Sequence, residues 1–215
     1  MDIFESFRMA ADPEKAVPMS AYMRDQFPFL GITTPERKKL SSDFLKSQKR
    51  DVVVWEFVFK CWEQPEREFQ YLAKDYLKKV AAALTPLDIP NLHKLIVTKS
   101  WWDTVDGLDV IVGSIAYRFP DVNNTLLAWS IDENFWLRRI AIDHQLMRKD
   151  KTDTALLEKI LVNNLGQTEF FINKAIGWAL RDYSKTNPAW VRGFLTKYGD
   201  RMASLSIREA SKYIG

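Results

Sequence analysis

The sequence TKSWWDTVDGLDV at residues 98–110 has three counterparts along the chain: QPEREFQYLAKDYL (64–77), DENFWLRRIAIDHQL (132–146) and TEFFINKAIGWALRDY (168–183). One large aromatic residue recurs in them with spacings of 33, 34 and 35 residues, at Phe69, Trp102, Trp136 and Phe171. Each stretch has helical apolar spacing and follows another helix-sized segment, so the repeating unit is a helical hairpin. This period predicts an all-α, HEAT-like helical repeat solenoid, or α–α superhelix, with a concave inner face.

The composition fits one globular domain over residues 1–215. The chain is 47% apolar and 27% charged, and its 8 Gly and 9 Pro exclude fibrous and low-complexity classes. The net charge of +3 permits a nucleic-acid partner without indicating one. The chain has 28 aromatic residues (8 Trp, 7 Tyr and 13 Phe), an unusual number, and the question is whether all of them belong to the core.

Neither a membrane nor an oxidising compartment is indicated. The apolar run VVVWEFVF (52–59) is broken by Glu56, is far shorter than the ~20 residues of a membrane span, and is expected to form a buried helix. Cys61 has no second cysteine to pair with, and the N-terminal residues are acidic, not basic. We therefore expect a cytoplasmic protein.

Helix boundaries are indicated by prolines and capping residues. Pro35 after Thr34 and Pro188 after Asn187 suit the first turn of a helix. Further N-caps are expected at Asp51, Thr85, Asp121 and Asp153.

Asp106 interrupts the repeat pattern. The residues four positions after the recurring aromatics are Ala73, Asp106, Ile140 and Ala175, and a carboxylate on a mostly apolar helix face is costly unless it has partners. Trp102 and Asp106 are neighbours on that face and together suit a cation. The alternatives are a helix cap or structural hydrogen bond for Asp106, and simple packing for Trp102.

Several segments resemble the AlkD family of bacterial DNA alkylation repair glycosylases. They run from PEKAVPMSAYMRDQFPFLGITTPER through WEQPEREFQ, LIVTKSWWDTVD, NFWLRRIAI and EFFINKAIGWALRDYSKTNP to SLSIREASKYI, nearly the whole chain. The resemblance implies a HEAT-like solenoid whose concave face holds duplex DNA. It also implies hydrolysis of the N-glycosidic bond of cationic N3- and N7-alkylated purines, such as N7-methylguanine and N3-methyladenine, by a monofunctional enzyme that leaves the base stacked.

The resemblance also assigns the site. By motif, the catalytic residues would be Trp102, Asp106, Arg139 and Trp178. Arg139 and Lys174 lie three residues after Trp136 and Phe171, so both are expected to face the groove and clamp phosphates; a solvated helix surface is the alternative. Matching segments and polarity add further DNA contacts at Tyr22, Thr34, Arg37, Arg138, Arg181 and Lys185.

No metal or cofactor is predicted. His93, His144 and Cys61 do not have metal-ligand spacing, and no nucleotide-binding motif is present. The expected partner is double-stranded DNA containing alkylated bases, bound by a monomer in the bacterial cytosol or nucleoid. Two other functions stay open: a non-catalytic HEAT-like protein that binds DNA structures, and a protein-interaction scaffold.

Overall fold

The structure, a computed structural model, describes residues 2–214, and within that range the chain forms helices and turns but no β-strand. Residues 2–214 contain thirteen α-helices and five short 3₁₀ turns, at Ala81–Ala83, Pro86–Asp88, Lys149–Lys151, Gly199–Arg201 and Ser211–Tyr213. The all-α prediction is confirmed. The chain divides into two compact units, Met1–Leu84 and Thr85–Gly215, while the assignment of a single domain stays a prediction.

The first unit contains five helices: α1 (Ile3–Met9), α2 (Pro13–Tyr22), α3 (Thr34–Ser47), α4 (Trp55–Glu63) and α5 (Arg67–Lys79). Its core forms around Phe69, whose ring stacks on Phe4 and Phe7 with centroids 5.3 and 5.5 Å away. The buried carboxylate of Glu68 accepts the backbone N–H groups of three consecutive residues, 30–32. This carboxylate fixes the loop between α2 and α3.

One helix start in this unit agrees with the prediction and one differs from it. α3 begins at Thr34 with Pro35 in its first turn, as predicted, and its cap is Thr33, where the Glu36 side chain accepts the Thr33 backbone N–H at 2.9 Å. The run VVVWEFVF is helical only from Trp55, and the three valines before it are not helical. Asp51 therefore caps no helix.

The second unit contains eight helices: α6 (Ile89–Val97), α7 (Trp102–Arg118), α8 (Val122–Trp129), α9 (Phe135–Asp143), α10 (Thr154–Val162), α11 (Phe170–Ser184), α12 (Pro188–Tyr198) and α13 (Ser204–Ala210). α7 packs against α9, α9 against α11, and α11 against α13. We call these four helices the central row. α6 and α8 pack against members of that row, and α10 packs against α8 and α9.

Only some of the N-caps predicted for this unit are observed. Asp153 caps α10 by accepting the N–H of Leu156 at 3.0 Å, and Asn187 caps α12 by accepting that of Trp190. Thr85 caps a 3₁₀ turn, not an α-helix. Asp121 occupies the N-cap of α8 without a side-chain bond.

Contacts between residues one period apart confirm the repeat. Asn163 donates to the Ser130 hydroxyl, 33 residues earlier, at 2.8 Å, and Ser206 donates to the Asn173 carbonyl, also 33 residues earlier, at 2.7 Å. The recurring aromatics Trp136 and Phe171 contact each other, with ring centroids 4.9 Å apart. Successive hairpins of this unit therefore stack in register.

No helix among residues 2–214 is long and apolar enough to cross a membrane.

Candidate active site

Arg139 is the central residue of the site. Its side chain is 2% exposed, and its Nε and Nη2 donate to Oδ1 and Oδ2 of Asp106 at 2.7 and 2.8 Å. Its Nη1 donates to the carbonyl oxygen of Phe171 at 2.6 Å. Asp106 lies on α7, Arg139 on α9 and Phe171 on α11. One buried guanidinium therefore joins three successive helices of the central row.

Asp106 is the exposed end of this ion pair. Its side chain is 21% exposed, whereas the equivalent residues Ala73, Ile140 and Ala175 are fully buried. It is not a helix cap, because α7 begins at Trp102 and Asp106 lies in the second turn. Each carboxylate oxygen accepts one bond from Arg139 and keeps lone pairs for a further donor or a cation. The pair thus presents an ionised carboxylate in a fixed orientation.

Two tryptophans accompany Asp106. Trp102, half-buried, lies one turn before it on the same face of α7. Trp178, also half-buried, lies on α11, and the Arg139 guanidinium carbon is 5.3 Å from its ring centroid. That distance is within the range of a cation–π interaction. The structure therefore brings Asp106, Arg139 and Trp178 together, with Trp102 adjoining Asp106.

Arg139 is not placed to clamp a phosphate, and that expectation is corrected. Its Nε, Nη1 and Nη2 all donate to protein oxygens and its side chain is buried, so it holds Asp106 instead of facing solvent. Lys174 and Arg181, both half-exposed, are the cations at the surface. Each lies near the Trp178 ring, at 5.6 and 5.9 Å from its centroid.

The other predicted DNA contacts in the second unit lie at its surface. Lys185, just after α11, is exposed, with its ammonium group 5.3 Å from the Tyr213 ring centroid. Arg138 on α9 is half-buried. Both remain candidate DNA contacts.

In the first unit, two of three predicted DNA contacts are accessible. Tyr22 at the end of α2 is 72% exposed, and Thr34 at the start of α3 is also exposed. Arg37 is 5% exposed, with Nη2 3.2 Å from the Asp75 carboxylate and the guanidinium 4.8 Å from the Tyr71 ring centroid. This side chain is buried against Asp75 and Tyr71 and does not face the surface, and the predicted Arg37 DNA contact stays a prediction.

Two buried carboxyl groups behind Asp106 were not anticipated. Asp109 on α7 and Asp143 on α9 are 4% and 2% exposed. Burial raises the pKa of Asp143 to about 7, although the Arg139 guanidinium, 3.8 Å away, opposes the shift. Burial, reinforced by Asp143 and Asp106, raises the pKa of Asp109 well above its usual value. One guanidinium faces three carboxyl groups, so the deeper two hold protons more tightly than free aspartates.

Asp106 and Trp178 border a cleft of about 380 Å³ that also contacts Asp109, Asp143 and His144. Burial lowers the pKa of His144 to about 3, so its imidazole is neutral. Throughout residues 2–214, no group of three or more His, Cys, Asp or Glu side chains is arranged to hold a metal ion. This cleft therefore presents the Asp106 carboxylate together with the Trp178 ring.

The sequence contains a signal for these pairings. Asp106 and Arg139 are 33 residues apart, and Asp109 and Asp143 are 34 apart, which is the repeat period. Equivalent positions of stacked hairpins lie side by side. Charged residues that lie one repeat period apart are therefore expected to be neighbours. The assignment of site residues by motif does not include this spacing.

The buried Asp143 carboxyl predicts a pH-dependent stability. Its pKa is higher in the folded protein, about 7, than the usual 3.8, so the native state binds the proton more tightly than the unfolded state does. The free energy of unfolding should therefore fall as pH rises from about 4 to 7, by up to about 4 kcal/mol from this group. Asp143→Asn, which cannot titrate, should show a shallower fall when urea unfolding is measured at pH 5 and pH 8. Equal pH dependence in both proteins would contradict this assignment.

Comparison with known proteins identifies the family. Residues 3–214 match the family described as DNA alkylation repair enzyme. A solved structure, described as a predicted DNA alkylation repair enzyme from Enterococcus faecalis, is 37% identical; the match covers 95% of this chain and 97% of that one, with a TM-score of 0.87. A search of curated proteins found no match. The chain belongs to the family of DNA alkylation repair enzymes.

Proposed function

We propose that this protein is a monofunctional DNA glycosylase that hydrolyses the N-glycosidic bond of cationic N3- and N7-alkylated purines in duplex DNA. The observation that carries the proposal is the ion pair of Asp106 and Arg139. It holds a partly exposed carboxylate in one orientation, with Trp102 one turn away and Trp178 across the cleft. A fixed carboxylate beside indole rings suits a transition state with positive charge on the sugar.

The chemistry needs few groups. Alkylation gives the purine a positive charge, so when the bond between C1′ and the base breaks, its electron pair neutralises the departing base. Positive charge then develops on the sugar, where the Asp106 carboxylate stabilises it. The oxygen of a water molecule bonds to C1′, and its proton passes to Asp106 or to solvent. Arg139 keeps the Asp106 carboxylate oriented through these steps.

The site favours catalysis over the two alternative functions. A protein that only binds DNA gains nothing from a partly exposed carboxylate, because negative charge repels phosphates. In a protein-interaction scaffold, the bonds of Arg139 would serve only to join helices, and the partial exposure of the Asp106 carboxylate would have no role. A salt-dependent gel shift on duplex DNA would separate DNA binding from a scaffold function.

We further infer that the base stays stacked and that the protein acts in the bacterial cytosol or nucleoid, where its substrate lies. The Asp106 side chain is partly exposed at the surface of the central row. A sugar of the duplex can therefore contact this carboxylate without extrusion of the base. Lys174, Arg181, Lys185 and Arg138 would contact the backbone. Tyr22 and Thr34 are further candidates on the first unit.

Asp106→Asn should abolish most base release and leave DNA binding intact. The substitution preserves size but removes the charge that stabilises the sugar cation, a loss of ~3 kcal/mol or about 100-fold in rate. The measurement is single-turnover release of N7-methylguanine from a duplex containing one lesion, compared with the spontaneous rate. Asp43→Asn, at an exposed aspartate of α3, is the matched control and should release the base at the wild-type rate. An unimpaired Asp106→Asn enzyme would refute the assignment.

Substrate charge should decide which bases are released. N7-methylguanine and N3-methyladenine are cationic and need no general acid, whereas hypoxanthine, uracil and 1,N6-ethenoadenine are neutral at pH 7. Asp109 and Asp143 border the same cleft as Asp106, but their side chains are only 4% and 2% exposed, so we do not assign either as the acid. Release should therefore be limited to the cationic bases, as measured by chromatography of the freed bases. Efficient excision of a neutral base would show that the protein supplies an acid.

A further inference from the structure

Helix α13 lies unusually close to α11. A Cβ atom at Gly177 of α11 would lie 2.6 Å from the Cβ of Glu209 and 3.2 Å from the carbonyl oxygen of Ser206, so only glycine permits this approach. The Ser206 hydroxyl donates to the Asn173 carbonyl at 2.7 Å in the same contact. This packing places the Glu209 side chain beside the polar residues of α11.

Glu209 accepts hydrogen bonds from three cations. Its Oε1 accepts from Lys174 Nζ at 2.9 Å, and its Oε2 accepts from Arg181 Nη1 at 2.7 Å and Lys212 Nζ at 2.9 Å. Glu209 is 4% exposed, whereas the three cationic side chains are 26%, 29% and 46% exposed. Bonds from Lys212 and Lys174 lower the pKa of Glu209 to about 2, so the carboxylate is ionised. The cluster carries a net charge of +2, and its cations lie at the surface.

The cluster adjoins the candidate catalytic residues. Lys174 and Arg181 lie near the Trp178 ring, which also contacts Arg139, the partner of Asp106. An anionic ligand held by the cluster would therefore lie next to the nucleotide on which Asp106 acts. In duplex DNA, the anion available at that place is a phosphodiester.

We propose that Glu209 is a positioning residue that orders Lys174, Arg181 and Lys212 into one phosphodiester-binding cluster beside Trp178. The inference rests on the proposed function and adds a residue whose own charge would oppose DNA binding. Long cationic side chains lose rotamer entropy when they are immobilised. Because Glu209 immobilises three of them before DNA arrives, that entropy is lost on folding and not on binding.

The Glu209→Gln variant distinguishes a positioning role of Glu209 from a purely electrostatic effect of its charge on DNA binding. Removal of one negative charge raises the net charge of the cluster from +2 to +3, so electrostatic attraction alone predicts tighter binding to DNA. Positioning predicts the opposite: roughly tenfold weaker binding to an unmodified duplex, and a slope of log affinity against log salt reduced by about one unit. Both are measured by fluorescence anisotropy over a series of salt concentrations. Unchanged or tighter binding by the Glu209→Gln protein would overturn the proposal.

Glu158→Gln is the matched control. Glu158 on α10 also accepts from a lysine, Lys197, at 2.9 Å, but it borders a separate cleft with Trp190 and Phe194. This variant should bind DNA as the wild-type protein does. A loss as large as that of Glu209→Gln would show that removal of any such ion pair weakens binding, which would also overturn the proposal.

Lys212→Met tests the cluster without a change at a buried residue. Lys212 is half-exposed, so the variant should fold, and membership of the cluster predicts severalfold weaker binding with a salt slope lower by about one unit. Unchanged binding by Lys212→Met would remove this residue from the proposed cluster and contradict the inference as stated. Failure of the wild-type protein to bind any duplex would instead refute the proposed function.

Discussion

The candidate site depends on one buried ion pair, that of Arg139 with Asp106. A guanidinium with 2% exposure is costly to bury unless its donors are satisfied, and three of its nitrogens donate to Asp106 and Phe171. These bonds fix the relative position of α7, α9 and α11. They also hold the carboxylate of Asp106 in one orientation, which is what an electrostatic catalyst requires.

Charge around this pair is arranged in layers. Asp109 and Asp143 lie beneath the ion pair, and both have raised pKa values. Because these carboxyl groups hold their protons more tightly than free aspartates, less negative charge is buried behind Asp106. Near Trp178, Glu209 accepts hydrogen bonds from three cationic side chains at the surface. The result is one partly exposed carboxylate next to a cationic surface. Such an arrangement suits a substrate that is anionic along its backbone and cationic at the reacting nucleotide.

The repeat period and the position of Asp106 could be predicted from the sequence, because both follow from helical spacing. The aromatics at intervals of 33 to 35 residues pack on one another as stacked hairpins require, as Trp136 and Phe171 show. The direction of Arg37 could not be predicted, and that of Arg139 was missed although its spacing of 33 residues from Asp106 indicates the pairing. Helix register places the Cβ atom, but a long side chain turns toward whichever partner a neighbouring helix supplies, and both arginines turn inward. Glu209 was missed because two of its three partners, Lys174 and Arg181, lie on α11, 35 and 28 residues away.

The most direct test of this account is the Arg139→Lys protein, assayed for single-turnover release of N7-methylguanine and for affinity to the same duplex. Lysine keeps the positive charge but cannot donate a fork of two N–H groups to both oxygens of Asp106. The account predicts release at least about tenfold slower, because the carboxylate loses its orientation, with duplex affinity and its salt dependence unchanged. A wild-type rate of release combined with weakened duplex binding would contradict it and would make Arg139 a phosphate contact.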